Sequence, residues 1–69
     1  MIPTIGRIVH YRSYYELPVK YHAAIIIKVK DDYTVDLQVF FDNGDIKTAE
    51  NVTYSESNFN NTWDWPPRV

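Results

Sequence analysis

Two histidines, His10 and His22, and the carboxylates Asp36 and Asp64 are the residues of this chain best suited to acid and base work. An imidazole titrates near neutrality, and a carboxylate beside it can orient its proton. The setting argues against catalysis all the same. There is no Gly-rich phosphate loop, no nucleophile motif, no H-x-x-x-H and no paired-carboxylate spacing. Two histidines among scattered aspartates are what chance composition supplies. With no cysteine and only two histidines, a closed zinc site is not expected, nor is any other cofactor. The expectation is a protein that is not an enzyme.

A different chemistry is suggested by the basic and aromatic groups. Arg7, Arg12, Lys20 and Arg68 are interleaved with Tyr11, Tyr14, Tyr15, Tyr21, Trp63 and Trp65. Ring faces and guanidinium groups are what a nucleobase and its phosphate require. The competing structural reading is that the rings seal the ends of a small barrel while arginine stems cover them. Aromatics make up 16% of the chain, more rings than so small a core can enclose, so some must face a ligand, a partner or water. The C-terminal W-D-W-P-P-R-V, residues 63–69, puts two tryptophans on one side of a strand beside an arginine. They could wall a ligand, anchor a partner or plug a barrel end. The candidate ligand-binding residues are Arg7, Tyr11, Arg12, His22, Trp63, Trp65 and Arg68.

These groups must be positioned by short strands. Residues 34–41 give the clearest period-two pattern, with Val35, Leu37, Val39 and Phe41 facing a core and Thr34, Asp36, Gln38 and Phe40 facing away. Asp31-Asp32 marks a turn before this strand, and Asp42-Asn43-Gly44-Asp45 a hairpin turn after it, since Asn and Gly both tolerate positive φ. Residues 21–30 form a second strand, with Tyr21, Ala23, Ile25, Ile27 and Val29 expected inward. His22, Gln38 and Phe40 then lie on the outer side.

Residues 5–12 form a further strand, with Arg7, Val9 and Tyr11 on one face and Ile8, His10 and Arg12 on the other; Gly6 marks a bulge or a close backbone approach at its start. Residues 46–54 read as a strand bent near Glu50, and residues 62–65 as a short last strand. Pro3 makes the N-terminal lead an edge or a tail. The fold class expected is all-β, a single domain over residues 1–69: a small SH3-like half-open barrel of about five antiparallel strands. A plain meander whose open edge is completed by a second copy is the alternative.

Composition narrows the partners. A chain of 69 residues buries only about 60% of its unfolded surface, and with disulfides excluded, self-association is the expected supplement. The net charge of -2 argues against a broad electrostatic grip on nucleic acid or on anionic membranes. No stretch approaches the ~20 apolar residues of a membrane span, and residues 1–9 lack a signal-peptide pattern, so a cytoplasmic location is expected.

P-T-I-G-R-I-V-H-Y-R at 3–12, H-A-A-I-I at 22–26, L-Q-V-F-F-D-N-G-D at 37–45 and T-W-D-W-P-P-R at 62–68 occur in that order. With these motifs the chain resembles a widespread group of small phage and prophage proteins. Relatives often carry a longer insert after the first strand, replaced here by residues 13–20, and an aromatic near position 47, where this chain has Lys47. The resemblance implies a phage origin and the host cytoplasm as compartment. It supplies no activity. By analogy with phage proteins that sequester signals of bacterial defence, the expected function is to hold a small nucleotide-derived ligand at an oligomer interface without chemistry. The alternatives are an interaction module that inhibits a host defence protein, a minor virion component and, last, a nucleic-acid-binding barrel.

Overall fold

Strict alternation of branched apolar residues with polar ones favours a strand half-buried in a sheet, and residues 34–40 become the central strand of the protein. A computed structural model describes residues 2–13, 20–56 and 60–66. Over these residues the chain is all-β with no helix. It forms β1 (Ile8–Arg12), β2 (Tyr21–Val29), β3 (Thr34–Phe40), β4 (Ile46–Tyr54) and β5 (Thr62–Asp64). The strands close into a barrel in the order β1-β2-β3-β4-β5. No helix among the described residues is long and apolar enough to cross a membrane.

The barrel is closed, where a half-open one is expected from the sequence, because β5 bridges the gap. It pairs antiparallel with β1 through His10↔Asp64, Tyr11↔Trp63 and Arg12↔Thr62, and parallel with β4 through Thr53↔Thr62 and Tyr54↔Trp63. Closure in this order replaces the plain meander, although β5 meets β4 only at Thr53 and Tyr54.

Closure requires curvature, and bulges supply it. Both neighbours of β3 carry an extra residue opposite the same position. On β2 the register shifts between Ile26 and Lys28, and on β4 it shifts between the partners of Val35 and Leu37, so both irregularities face Asp36. The bend expected near Glu50 is found there, with Asn51 at φ 55. The Asp36 carboxylate accepts the Asn51 backbone N–H at 2.9 Å and lies 3.6 Å from Lys30 Nζ, which pins the bulged backbone.

The β2 bulge also corrects the face assignment. The buried residues of β2 are His22, Ala24 and Ile26, while Tyr21, Ala23 and Ile27 are exposed and Ile25 is half-buried. Both alternating sets of β2 are apolar, so alternation cannot choose between them. The extra residue resets the phase, so that Val29 again packs on the core. Arg12, on the face of β1 that it shares with Ile8 and His10, is fully buried. The core is Val9, Tyr11, Ala24, Ile26, Val35, Leu37, Val39, Val52 and Trp63, with Phe41, Tyr54 and Trp65 packed against it. Each fully buried aliphatic side chain contributes about 1.5–3 kcal/mol.

The turns follow their chemistry. Gly6 takes φ 91, its N–H donates to Ile26 O at 2.8 Å and Ile26 N–H donates to Arg7 O at 2.9 Å, so Gly6 and Arg7 together oppose Ile26. Of the two readings that the sequence leaves for Gly6, a bulge or a close backbone approach, the structure shows the bulge. Asp31 caps the β2–β3 turn by accepting the backbone N–H groups of Tyr33 and Thr34, both at 2.8 Å. Those bonds hold its carboxyl below the usual carboxylate range. The stabilisation is present at neutral pH and is lost as acid protonates the folded carboxyl.

In the β3–β4 hairpin only Gly44 adopts positive φ, at 94; Asn43 does not, contrary to the Asn-Gly expectation. Gly44 N–H donates to Phe41 O at 3.0 Å and Phe41 N–H to Asp45 O at 2.8 Å, a three-residue loop ending in a left-handed glycine. A Cβ at Gly44 would meet nothing within 4 Å, so the cost of Gly44→Ala is backbone strain alone. It should be about 1–2 kcal/mol, read as a fall in thermal midpoint of roughly 4–8 °C per kcal/mol for a domain of this size.

Candidate functional site

At one end of the barrel the β2–β3 turn, the ends of β4 and β5 and the N-terminal lead surround a cavity of about 330 Å³. It is lined by Ile2, Asp32, Tyr33, Tyr54, Trp63 and Trp65. The volume lies at the lower end of small-ligand sites. Each wall has a local cause. Tyr33 sits on the turn capped by Asp31, and its carbonyl accepts both the Tyr54 backbone N–H at 2.8 Å and Trp63 Nε1–H at 2.9 Å. One carbonyl thus ties turn, β4 and β5 together. Ile2 reaches the cavity because the lead is packed down, with Pro3 buried, and is neither a free tail nor an added strand.

The rings form an edge-to-face series. Tyr54 meets Trp63 at 5.0 Å and 67°, and Trp63 meets Trp65 at 5.1 Å and 84°. These are favourable geometries, because the positive edge of one ring meets the negative face of the next. Arg7 extends the series, its guanidinium carbon 5.3 Å from the Trp65 ring centroid. Two acidic groups bear on the site differently. The Asp31 carboxylate is committed to backbone, whereas Asp32 lines the cavity.

Tyr54 donates its phenolic hydrogen to Glu56 Oε1 at 2.9 Å. That bond, with some burial and the charge of Glu56, pushes the phenol from 10.0 up to about 12. A raised folded value favours the neutral phenol, so its contribution to stability is complete below pH 10 and is lost as pH rises towards 12. An absorbance titration of tyrosinate should show one phenol ionising late, and Glu56→Ala should move that phenol back towards 10. An unchanged curve would show that Glu56 does not hold it.

No family model, curated protein or solved structure matches this chain.

Of the residues singled out in the sequence, the structure gathers Arg7, Trp63 and Trp65 at this end. Trp63 and Trp65 pack within their own barrel, with Trp63 only 1% exposed, so it contributes one edge of the cavity floor and serves mainly as core. Arg12 is placed elsewhere. It is fully buried, donates to Ser55 O at 3.0 Å, Thr62 Oγ1 at 2.9 Å, Tyr21 Oη at 3.3 Å and Asp64 Oδ2 at 3.3 Å, and lies 4.9 Å from the Tyr21 ring centroid. It braces the β1–β5 closure.

Tyr11 is buried and its hydroxyl donates to Asn61 Oδ1 at 2.9 Å. His22 is also buried, with its ring 4.6 Å from Phe41, where an outer position is expected from the sequence. His10 instead packs on Tyr21 at 5.2 Å. His10 and His22 sit in adjacent cross-strand pairs, His10↔Ala23 and Tyr11↔His22, so they point to opposite faces and form no acid and base pair. Tyr14, Tyr15 and Arg68 lie outside the described residues. Among the described residues no group of three or more His, Asp or Glu could hold a metal ion.

Sequence reading missed Ile2, Asp32, Tyr33 and Tyr54. Asp32 and Tyr33 read as turn residues, and Tyr54 as strand. A signal was present in Tyr33 directly after the Asp-Asp turn, since a ring on a tight turn cannot enter the core beside it.

Proposed function

We propose that this protein binds a small nucleotide-derived ligand in the aromatic cavity and holds it without transforming it. The observation that carries the reading is the grouping of Tyr33, Tyr54, Trp63 and Trp65 with Asp32, beside an Arg7 stacked on Trp65. A nucleobase needs a ring to stack on and a hydrogen-bonding group for its edge, and its phosphate needs a cation. Trp65 and Tyr33 supply the first, Asp32 the second and Arg7 the third.

An aromatic pocket with a carboxylate also suits an organic cation. Arg7 decides against that occupant, because it already holds a positive charge against Trp65 and a cationic ligand would meet it. An anionic ligand gains from the same charge. The use of both tryptophans as anchors for a partner protein is less well supported, since Trp63 is turned into the core.

The resemblance to phage proteins selects the candidates to try, namely cyclic dinucleotides and ADP-ribose derivatives that act as signals of bacterial defence, met in the host cytoplasm. Calorimetry and tryptophan fluorescence should detect binding. Heat denaturation should return the ligand intact. Trp65→Ala should abolish binding while leaving the far-ultraviolet spectrum of the barrel in place. No heat and no quenching with any of these ligands would overturn the reading, and recovery of a hydrolysed product would replace it with an enzyme.

A further inference from the structure

The outer face of β1–β4 carries apolar side chains that neither the core nor the cavity uses. Register places them in two adjacent rows. One row runs Ile8–Ile25–Gln38–Thr48 and the next runs His10–Ala23–Phe40–Ile46. Tyr21 and Ile27 extend the face along β2, since residues two apart on a strand share a side. Over β1–β4 neither row contains a Lys, Arg, Asp or Glu; of the three polar members, Gln38 and Thr48 are hydrogen-bonded to each other at 3.2 Å and His10 packs on the Tyr21 ring at 5.2 Å. Such an arrangement is unusual for the outside of an antiparallel sheet, where alternation ordinarily places polar residues in water.

We propose that this face packs against the same face of a second copy, forming a two-fold homodimer. Ile8, Tyr21, Ile27, Phe40 and Ile46 are between 38% and 61% exposed. At about 150–250 Å² for a large side chain, five such groups leave on the order of 500 Å² of apolar surface in water. Ala23, Ile25 and the Gln38–Thr48 pair bring the face near the roughly 600 Å² per subunit at which stable interfaces begin.

Two features point to a copy of this chain as the occupant. The relief is self-complementary, since Ala23 is a hollow at the centre, with Tyr21 and Ile25 along its strand and His10 and Phe40 across from it. A two-fold axis midway between Ala23 and Phe40 would lay Phe40 of one subunit into the hollow of the other, an isologous contact. Within β1–β4 the two rows carry no Lys, Arg, Asp or Glu, and Asp64, which continues the His10 row on β5, is paired with Arg12, so two copies meet there with little like-charge opposition. The apolar rows lie on the face of the sheet and not along its edge, so face-to-face packing is the geometry that buries them. A chain of this length without cysteine gains from the added burial.

Sedimentation equilibrium tests the proposal whether or not the cavity binds a nucleotide. The purified protein should show a concentration-dependent mass of twice 8.2 kDa. Ile8→Glu and Ile46→Lys, both at exposed positions, should each weaken association at least tenfold, or about 1.4 kcal/mol, with unchanged far-ultraviolet spectra. Thr53→Glu, outside the two rows, should leave it intact. A monomeric mass up to millimolar concentration would overturn the proposal. So would a dimer indifferent to both face substitutions, which would place the contact elsewhere. If Ile46→Lys alone unfolds the chain, Ile8→Glu decides.

Discussion

Trp63→Ala should leave the protein largely unfolded at 25 °C. The ring is 1% exposed, packs edge-to-face on Tyr54 and Trp65, and donates its Nε1–H to Tyr33 O at 2.9 Å. Removing a buried tryptophan costs about 3–5 kcal/mol through lost transfer energy and the cavity left behind. A chain of 69 residues has roughly 3–10 kcal/mol of stability in all. The substitution therefore consumes most or all of it. Circular dichroism and urea titration should show either no cooperative transition or a midpoint far below that of the parent. Trp63→Phe retains the ring stack but gives up the Nε1–H bond, and should fold with a smaller loss. Trp65→Ala supplies the contrast, since that ring is only half-buried and its loss should be felt in binding more than in folding. An unchanged urea midpoint for Trp63→Ala would contradict its place in the core.

Arg12→Ala should be nearly as damaging, by about 3–5 kcal/mol, because it breaks a buried charged network by removing its centre. The guanidinium serves residues near or in four strands: its own β1, Tyr21 of β2, Ser55 after β4, and Thr62 and Asp64 of β5. With it gone, the Ser55 carbonyl and the Thr62 hydroxyl lose a charged donor at the seam where the barrel closes. Arg12→Lys should fall between parent and Ala, because an ammonium keeps the charge but cannot reproduce the planar fork. Asp64→Asn should cost much less, since the Asp64 side chain is a quarter exposed and water can replace the pairing. Urea midpoints in the order parent, Asp64→Asn, Arg12→Lys, Arg12→Ala are expected. Equal midpoints for Lys and parent would mean that charge alone holds the seam.

Both residues show how far the candidate site was legible. Trp63 and Trp65 stand out by composition and by sharing one side of a strand, and the structure does bring them together. Which of the two is sunk in the core is not written in their spacing; it follows from Trp63 lying level with Tyr11 on one side and Tyr54 on the other. Arg12 reads as a phosphate contact because a guanidinium group among aromatic side chains suits a nucleotide. Its burial comes from carbonyl and hydroxyl acceptors contributed by segments 43 and 50 residues away, and no local pattern reports such partners.

The sequence by itself determined the all-β class, the inward face of β3, the positions of the turns, a bulge or close backbone approach at Gly6 and the bend near Glu50, because alternation, turn chemistry and Gly conformational freedom are properties of a few neighbouring residues. Only the tertiary structure decided which side of β2 is buried, since both sides are apolar and a bulge opposite Asp36 sets the phase. It also decided that the barrel closes and that Tyr33, Asp32, Tyr54 and Ile2 meet the tryptophans. Those outcomes depend on how β5 reaches both β1 and β4, a long-range pairing whose energy is shared over distant segments and so leaves no local trace in the chain.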